Sequence, residues 1–178
     1  MNIFSTYNCP KLSAQALDDK RVIKMILESA QMLCTAIHLH SKEDNNIINT
    51  QAAELYKSTH VKHPCTIWTA YSIENWMWLY DHIRYLCEEY SYRFNNRVHK
   101  VESKFIPSIL EYKYLLPEKG LTKFANCCRG EFKNGISVDY REIDDVLEAY
   151  RLYMCAKWQN DARTPIWTKR RAPKWYLI

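Results

Sequence analysis

The sequence predicts an all-α fold, a mainly helical single domain of about five helices spanning residues 1–178. Three observations carry this. Hydrophobic residues are 47 % and aromatics 13 % of the 178-residue chain, enough for one sound core and short for two. Only three glycines occur, too few for the phosphate loops of an α/β nucleotide fold or the tight turns of a β-barrel. Finally, apolar residues recur at helical spacing in several stretches.

The elements follow in order. A first helix is expected from about Ser13, as N-cap, to about His38. Advancing by about 100° per residue places Ile23, Ile26, Leu27, Ala30, Leu33, Cys34 and Ile37 on one face. Lys20, Lys24, Glu28, Gln31 and Thr35 share the opposite side. Residues 41–50 read as a polar surface loop, followed by a short helix over Gln51 to Lys57. His63-Pro64 opens a long helix to about Arg93, with proline in its first turn. Its rings (Trp68, Tyr71, Trp76, Trp78, Tyr80, Tyr85, Tyr90) cover more than one face, so it should lie centrally. A weaker helix over Val98 to Tyr114 is bent or split by Pro107. Leu115 to Asp139 holds all three glycines and reads as loop, with room for a short β-hairpin near residues 120–139. Ile143, Val146, Leu147, Tyr150 and Met154 mark a last helix over Tyr140 to Trp158, and a basic-aromatic segment over 159–178 closes the chain.

The net charge of +5 is concentrated at the C-terminal end, where Lys157, Arg163, Lys169, Arg170, Arg171 and Lys174 face a single acid, Asp161. Trp158, Trp167 and Trp175 interleave with these cations. Cations hold phosphates and flat rings stack on bases, so Arg163, Trp167, Lys169, Arg170, Arg171, Lys174 and Trp175 are candidate DNA contacts. The other reading is an arm whose tryptophans pin it to the core and whose cations are solvated. Seven cysteines with no CxxC pair suit free thiols in a reducing cytoplasm. No secretory leader is legible and no apolar run approaches the length of a membrane span, so no membrane partner is expected.

Two clusters could carry chemistry. Asp19 falls in the middle of the apolar face of the first helix, where a carboxylate is costly unless a cation meets it, so an arginine or lysine from elsewhere should do so. Lys20, Lys24 and Glu28 lie one turn apart along one ridge. A lysine beside another cation has a lowered pKa and can attack an aldehyde or a sugar C1′, with Glu28 as the acid or base. Asp19, Lys20, Lys24 and Glu28 are therefore the candidate catalytic set; the rival reading is ordinary i, i+4 pairing of Lys24 with Glu28. Before the long helix, His60, Lys62 and His63 could donate to a phosphate, or His63 could simply cap. H-x2-H-x-C over His60, His63 and Cys65 supplies three zinc-type donors, but no CxxC stands nearby to complete a tetrahedron, so no metal and no cofactor are expected. Asn75, between rings on the long helix, could read a base edge. Phosphate-loop, dinucleotide and hydrolase-elbow motifs are absent.

Asp18-Asp-Lys-Arg-Val22, Met25 to Leu33, His60-x-x-His-Pro-Cys-x-Ile-Trp68, Glu88-Glu-Tyr-x-Tyr-Arg-Phe94 and Pro165-x-Trp167 resemble a family of small phage and viral helical proteins. Arg163-Thr-Pro165-Ile-Trp167 is also similar, with one residue inserted, to the arginine-proline-tryptophan ending of phage-type pyrimidine-dimer DNA glycosylases of the endonuclease V kind. That resemblance implies a single all-α domain that cleaves the glycosidic bond and then the strand through a Schiff base, inside a host cell. Such enzymes attack with the α-amine of a small second residue. Asn2 stands there in this chain, so the reading assigns the attack to Lys20 or Lys24. The function expected is DNA binding with base-excision and abasic-site lyase chemistry. The alternatives are a nucleotide- or base-modifying transferase, which requires a closed pocket lined by Trp68, Tyr71 and Trp78, and a non-enzymatic accessory protein that binds a host protein.

Overall fold

The computed structural model describes residues 1–41 and 55–176. The described chain is mainly helical, in the order α1 (Pro10–Ala16), α2 (Asp19–Ser41), α3 (Pro64–Tyr71), α4 (Ile73–Arg93), α5 (Lys100–Lys104), α6 (Ile106–Ile109), a 3-10 helix (Leu110–Leu115), β1 (Arg129–Glu131), β2 (Ser137–Asp139) and α7 (Val146–Gln159). The two strands pair antiparallel, Gly130 opposite Val138. They fall within the stretch that holds the glycines. Gly130 sits under α7, where an added Cβ would lie 2.8 Å from the Tyr153 hydroxyl.

The expected first helix is two. Proline opens α1, and Ser13 lies inside it rather than capping it. The Ser13 hydroxyl grips Tyr7, accepting from its N–H at 3.0 Å and donating to its carbonyl at 2.9 Å. Leu17 is extended, and α2 restarts at Asp19, whose N–H donates to the Ile166 carbonyl at 2.8 Å. The buried arc of α2 is also rotated from the expected one. Val22, Met25, Ile26, Ser29, Met32 and Leu33 are buried, whereas Ile23 and Leu27 are 43 % and 41 % exposed. The reason is that α2 packs against both α3 and α4, so the covered arc is wide and shifted towards them.

The expected long helix is also two. Ser72 is extended and caps α4, its hydroxyl accepting from Asn75 N–H at 3.2 Å and donating to the Gly120 carbonyl at 2.8 Å. His63 caps α3 by accepting from Cys65 N–H at 3.2 Å. As its rings suggested, α4 is central and packs on α1, α2 and α3. Pro107 does split its helix. The last helix starts later than Tyr140, because the Asp145 carboxylate caps it by accepting from the Leu147 and Glu148 N–H groups. Ser41, the first residue of the loop expected over 41–50, ends α2; the rest of that loop and most of the short helix over Gln51 to Lys57 lie outside the described residues, and Leu55 to Lys57 are not helical.

By length and composition α2 could cross a membrane, a test that core helices also pass, and most of its apolar stretch is buried inside the fold. After α7 the chain runs back across α1 and α2, held by its tryptophans. Trp158 Nε1 donates to Asp18 at 2.8 Å, Trp167 Nε1 to the Ala16 carbonyl at 2.9 Å and Trp175 Nε1 to the Tyr7 hydroxyl at 3.1 Å. Trp158 and Trp175 stack at 5.5 Å.

Candidate active site

The first residues fold back on themselves. Asn2 is buried, and its side-chain oxygen accepts from the N–H groups of Ile3 at 2.8 Å and Phe4 at 3.1 Å. Its side-chain NH2 donates to the Cys127 carbonyl at 3.3 Å, and Phe4 takes a left-handed conformation, φ 47°. This clasp aims the start of the chain at α2. The Asn2 backbone N–H donates to Glu28 Oε2 at 3.1 Å, and the Met1 terminal ammonium lies 3.7 Å from the same oxygen. Glu28 Oε1 faces Lys24 Nζ at 3.3 Å. One carboxylate thus meets the head of the chain on one oxygen and a lysine on the other.

These groups line a cleft of about 210 Å³ whose rim also carries Lys20, Lys157 and Asp161. That is below the roughly 300–1,000 Å³ of a small-molecule pocket, which suits a group presented by a larger substrate. Lys20 pairs with Asp161 at 3.6 Å, and buried Arg21 bridges Asp18, at 3.1 Å, to Asp161. Burial pushes the Lys157 ammonium below the usual lysine range, Arg21, Lys24 and Lys20 push it further, and Asp161 partly offsets them. Five basic groups, the Met1 amine, Lys20, Arg21, Lys24 and Lys157, around two carboxylates, Glu28 and Asp161, make an anion-attracting mouth.

The expected site residues fall into three groups. Lys20, Lys24 and Glu28 share the cleft. Asp19 does not line it, and instead has the cation expected of it, Arg93, at 3.1 Å. The Thr168 N–H and hydroxyl, the latter at 2.6 Å, complete the shell of Asp19. Arg93 is fully buried and also bonds Glu89, at 3.0 Å, and the Leu17 and Gln15 carbonyls; Glu89 receives Arg170 at 2.6 Å. This hub takes in Asp19 of the Asp-Asp pair and Glu89 and Arg93 of the Glu-Glu-Tyr-x-Tyr-Arg sequence, while Asp18 pairs with Arg21 and Trp158.

His60 and Lys62 form an exposed turn, His60 at φ 49°, and the His63 ring carries the α3 cap. Asn75 is buried with its amide engaged by the Trp68 carbonyl, Thr122 Oγ1 and Thr122 N–H, all within 2.9 Å, which leaves no edge to offer a base. In the tail, Trp167 and Trp175 are partly buried against the core, their ring N–H groups bonded to the fold, and Lys169 is tied to the Tyr92 carbonyl and Asn95. Arg163, Arg171 and Lys174 are exposed and carry no ion pair among the described residues. Trp68 and Trp78 cross at 6.0 Å, and both pack on Phe124, so they do not form the closed pocket that a mononucleotide enzyme requires.

Two parts of the cleft escape a reading of the sequence. Lys157 counted only as a tail cation, although its place on the last helix could have directed it inward. The head of the chain was set aside because Asn2 is large; no periodicity marks residues 1–6, so their approach to Glu28 had no local signal.

A family model described as pyrimidine dimer DNA glycosylase matches residues 1–102. No curated protein and no solved structure matches the chain significantly.

Proposed function

Since the chain belongs to the pyrimidine dimer DNA glycosylase family, matched over residues 1–102, we propose that it excises damaged pyrimidines from DNA through an imine formed on the α-amine at the head of the chain. The observation that carries this is the contact of that head with Glu28 Oε2, 3.1 Å to Asn2 N and 3.7 Å to the Met1 ammonium. Either nitrogen, Met1's or Asn2's once Met1 is trimmed, stands on the same carboxylate. Lys20 and Lys24, the amines the sequence suggested, are largely exposed and face carboxylates at 3.6 and 3.3 Å. In this reading they hold phosphate.

The chemistry runs in balanced steps. With Glu28 holding its proton, the neutral amine attacks C1′. The C1′–base bond breaks and its electron pair leaves with the base, which takes up a proton. Loss of the remaining amine proton and opening of the C1′–O4′ bond give the imine, with O4′ protonated from Glu28. Removal of a C2′ proton then expels the 3′ phosphate and cuts the strand. In this reading Lys157, on the rim of the cleft and held towards its neutral form by burial and neighbouring cations, takes that proton. Arg163, Arg171 and Lys174 would add backbone contacts.

Borohydride trapping on DNA carrying an abasic site, with peptide mapping of the adduct, tests the reading. An adduct at the chain's first residue that survives Lys20→Ala, Lys24→Ala and Lys157→Ala supports it. An adduct on one of those lysines moves the nucleophile there and sinks the α-amine assignment. No adduct on any amine rules out imine chemistry.

A further inference from the structure

Beside the cleft, three soft donors from distant parts of the chain meet. His63 caps α3, Cys65 lies in its first turn and Cys127 sits just before β1, 62 positions further on. Their donor atoms all lie within 4.8 Å of one another. We infer that His63, Cys65 and Cys127 bind a thiophilic divalent cation of the zinc class.

The distances favour a shared cation over a bond between the sulfurs. Two thiolates about 2.3 Å from one tetrahedral zinc stand roughly 3.8 Å apart; Cys65 Sγ and Cys127 Sγ are 3.4 Å apart. A disulfide needs about 2.05 Å. The imidazole completes the set by closing from within 4.8 Å to roughly 3.5 Å of the sulfurs. That motion exchanges the His63 cap bond to Cys65 N–H for a metal bond.

Polar groups of the fold adjoin both cysteines. Tyr150 Oη lies 3.9 Å from Cys65 Sγ while donating to the Ala125 carbonyl at 2.8 Å. Asn2 holds the Cys127 carbonyl. Two thiolates and a neutral imidazole leave a dication without net charge and with a fourth position open, the arrangement of sites that keep an exchangeable ligand. The cation would tie the start of α3 to the segment before β1, and through the Asn2–Cys127 bond would brace the clasp that aims the chain head at Glu28.

Cobalt(II) added to the reduced, metal-free protein is the test. The expected result is equimolar uptake with thiolate-to-cobalt charge-transfer absorption, displaced by zinc, and zinc protection of Cys65 and Cys127 from alkylation. Cys127→Ser and His63→Ala should each weaken cobalt by at least about tenfold, the smallest loss seen when even an outer partner of a site is removed. His63→Ala guards against a folding defect, because that ring is only partly buried. No equimolar cobalt, or absorption unchanged in Cys127→Ser, overturns the site. So does finding Cys65 and Cys127 joined by a disulfide in place of zinc protection, which would make the pair a redox element. None of these readouts involves DNA, so failure here leaves the excision reading untouched.

Discussion

Two carboxylates on α2, Asp19 and Glu28, sit in opposite electrostatic situations. Both are 17 % or less exposed, and both face cations. Asp19 receives a buried guanidinium, a backbone N–H and a hydroxyl, all fixed by packing. Glu28 receives an N–H of the chain head, a terminal ammonium and a lysine that is 68 % exposed, with a cleft on its open side. A saturated carboxylate in a buried hub has no capacity left for a substrate; one that faces an exposed lysine at a cleft does. Similar charge on one helix therefore divides into structure and chemistry according to how rigidly its partners are held.

The sharpest way to break that contrast is to neutralise each member. Glu28→Gln should lower the rate of imine trapping by about 10²–10⁴-fold, the usual contribution of a positioned acid–base group, while the thermal midpoint stays close to the parent's. Arg93→Met should do the reverse. Removing one partner of a buried ionic network costs roughly 3–5 kcal/mol, read from urea denaturation, and leaves Asp19 and Glu89 short of their buried cation. If Arg93→Met proves stable but loses trapping, Asp19 belongs to the chemistry and the division fails.

How much of this was legible follows from the range of each signal. That Asp19 needed a cation could be read from helical spacing alone, because burial of a lone carboxylate is costly wherever it occurs. Which cation could not be read, since Arg93 lies 74 positions away. The helical class and the centrality of α4 followed from composition and ring distribution. The breaks at Leu17 and Ser72 did not. Each is fixed by a distant partner, Arg93 on the Leu17 carbonyl and the Gly120 carbonyl on Ser72, with no glycine or proline to mark it. The same holds for the site. Lys20, Lys24 and Glu28 share a ridge and were visible together, whereas Met1, Lys157 and Cys127 join by tertiary folding only. The tail misled for a related reason. A tryptophan beside a cation looks the same in sequence whether it stacks on a base or on another tryptophan, as Trp158 and Trp175 do here.

His82 extends the contrast to a polar group with no hydrogen-bond partner among the described residues. It is fully buried and stacks on Trp78 at 5.2 Å, and neither ring nitrogen finds a donor or acceptor there. Burial lowers its pKa to about 3. The unfolded chain takes up a proton near the ordinary value of 6.5 and the folded one does not, so stability is lost as pH falls through that window. The slope should approach 1.4 kcal/mol per pH unit, roughly. Denaturation of His82→Leu against pH should show a flatter acid limb. An unchanged limb would mean that the ring is protonated, and partnered, in the fold.

The smallest effect expected is at the tail, where bound and unbound cations lie side by side. Arg170 and Lys169 are tied to Glu89 and to the Tyr92 carbonyl, whereas Arg163, Arg171 and Lys174 reach solvent. Each phosphate contact contributes close to one unit to the slope of log affinity against log salt. Replacing Arg163, Arg171 and Lys174 with alanine should therefore flatten that slope for a DNA duplex by up to about three units, with little change in melting temperature. Arg170→Ala should lower the melting temperature instead, because it strips a charged partner from a carboxylate that is 4 % exposed. A salt slope unchanged by the triple substitution would show that DNA approaches over the Lys20, Lys24 and Lys157 mouth alone. The tail would then act as a strap whose tryptophans fasten α7 to the start of α2.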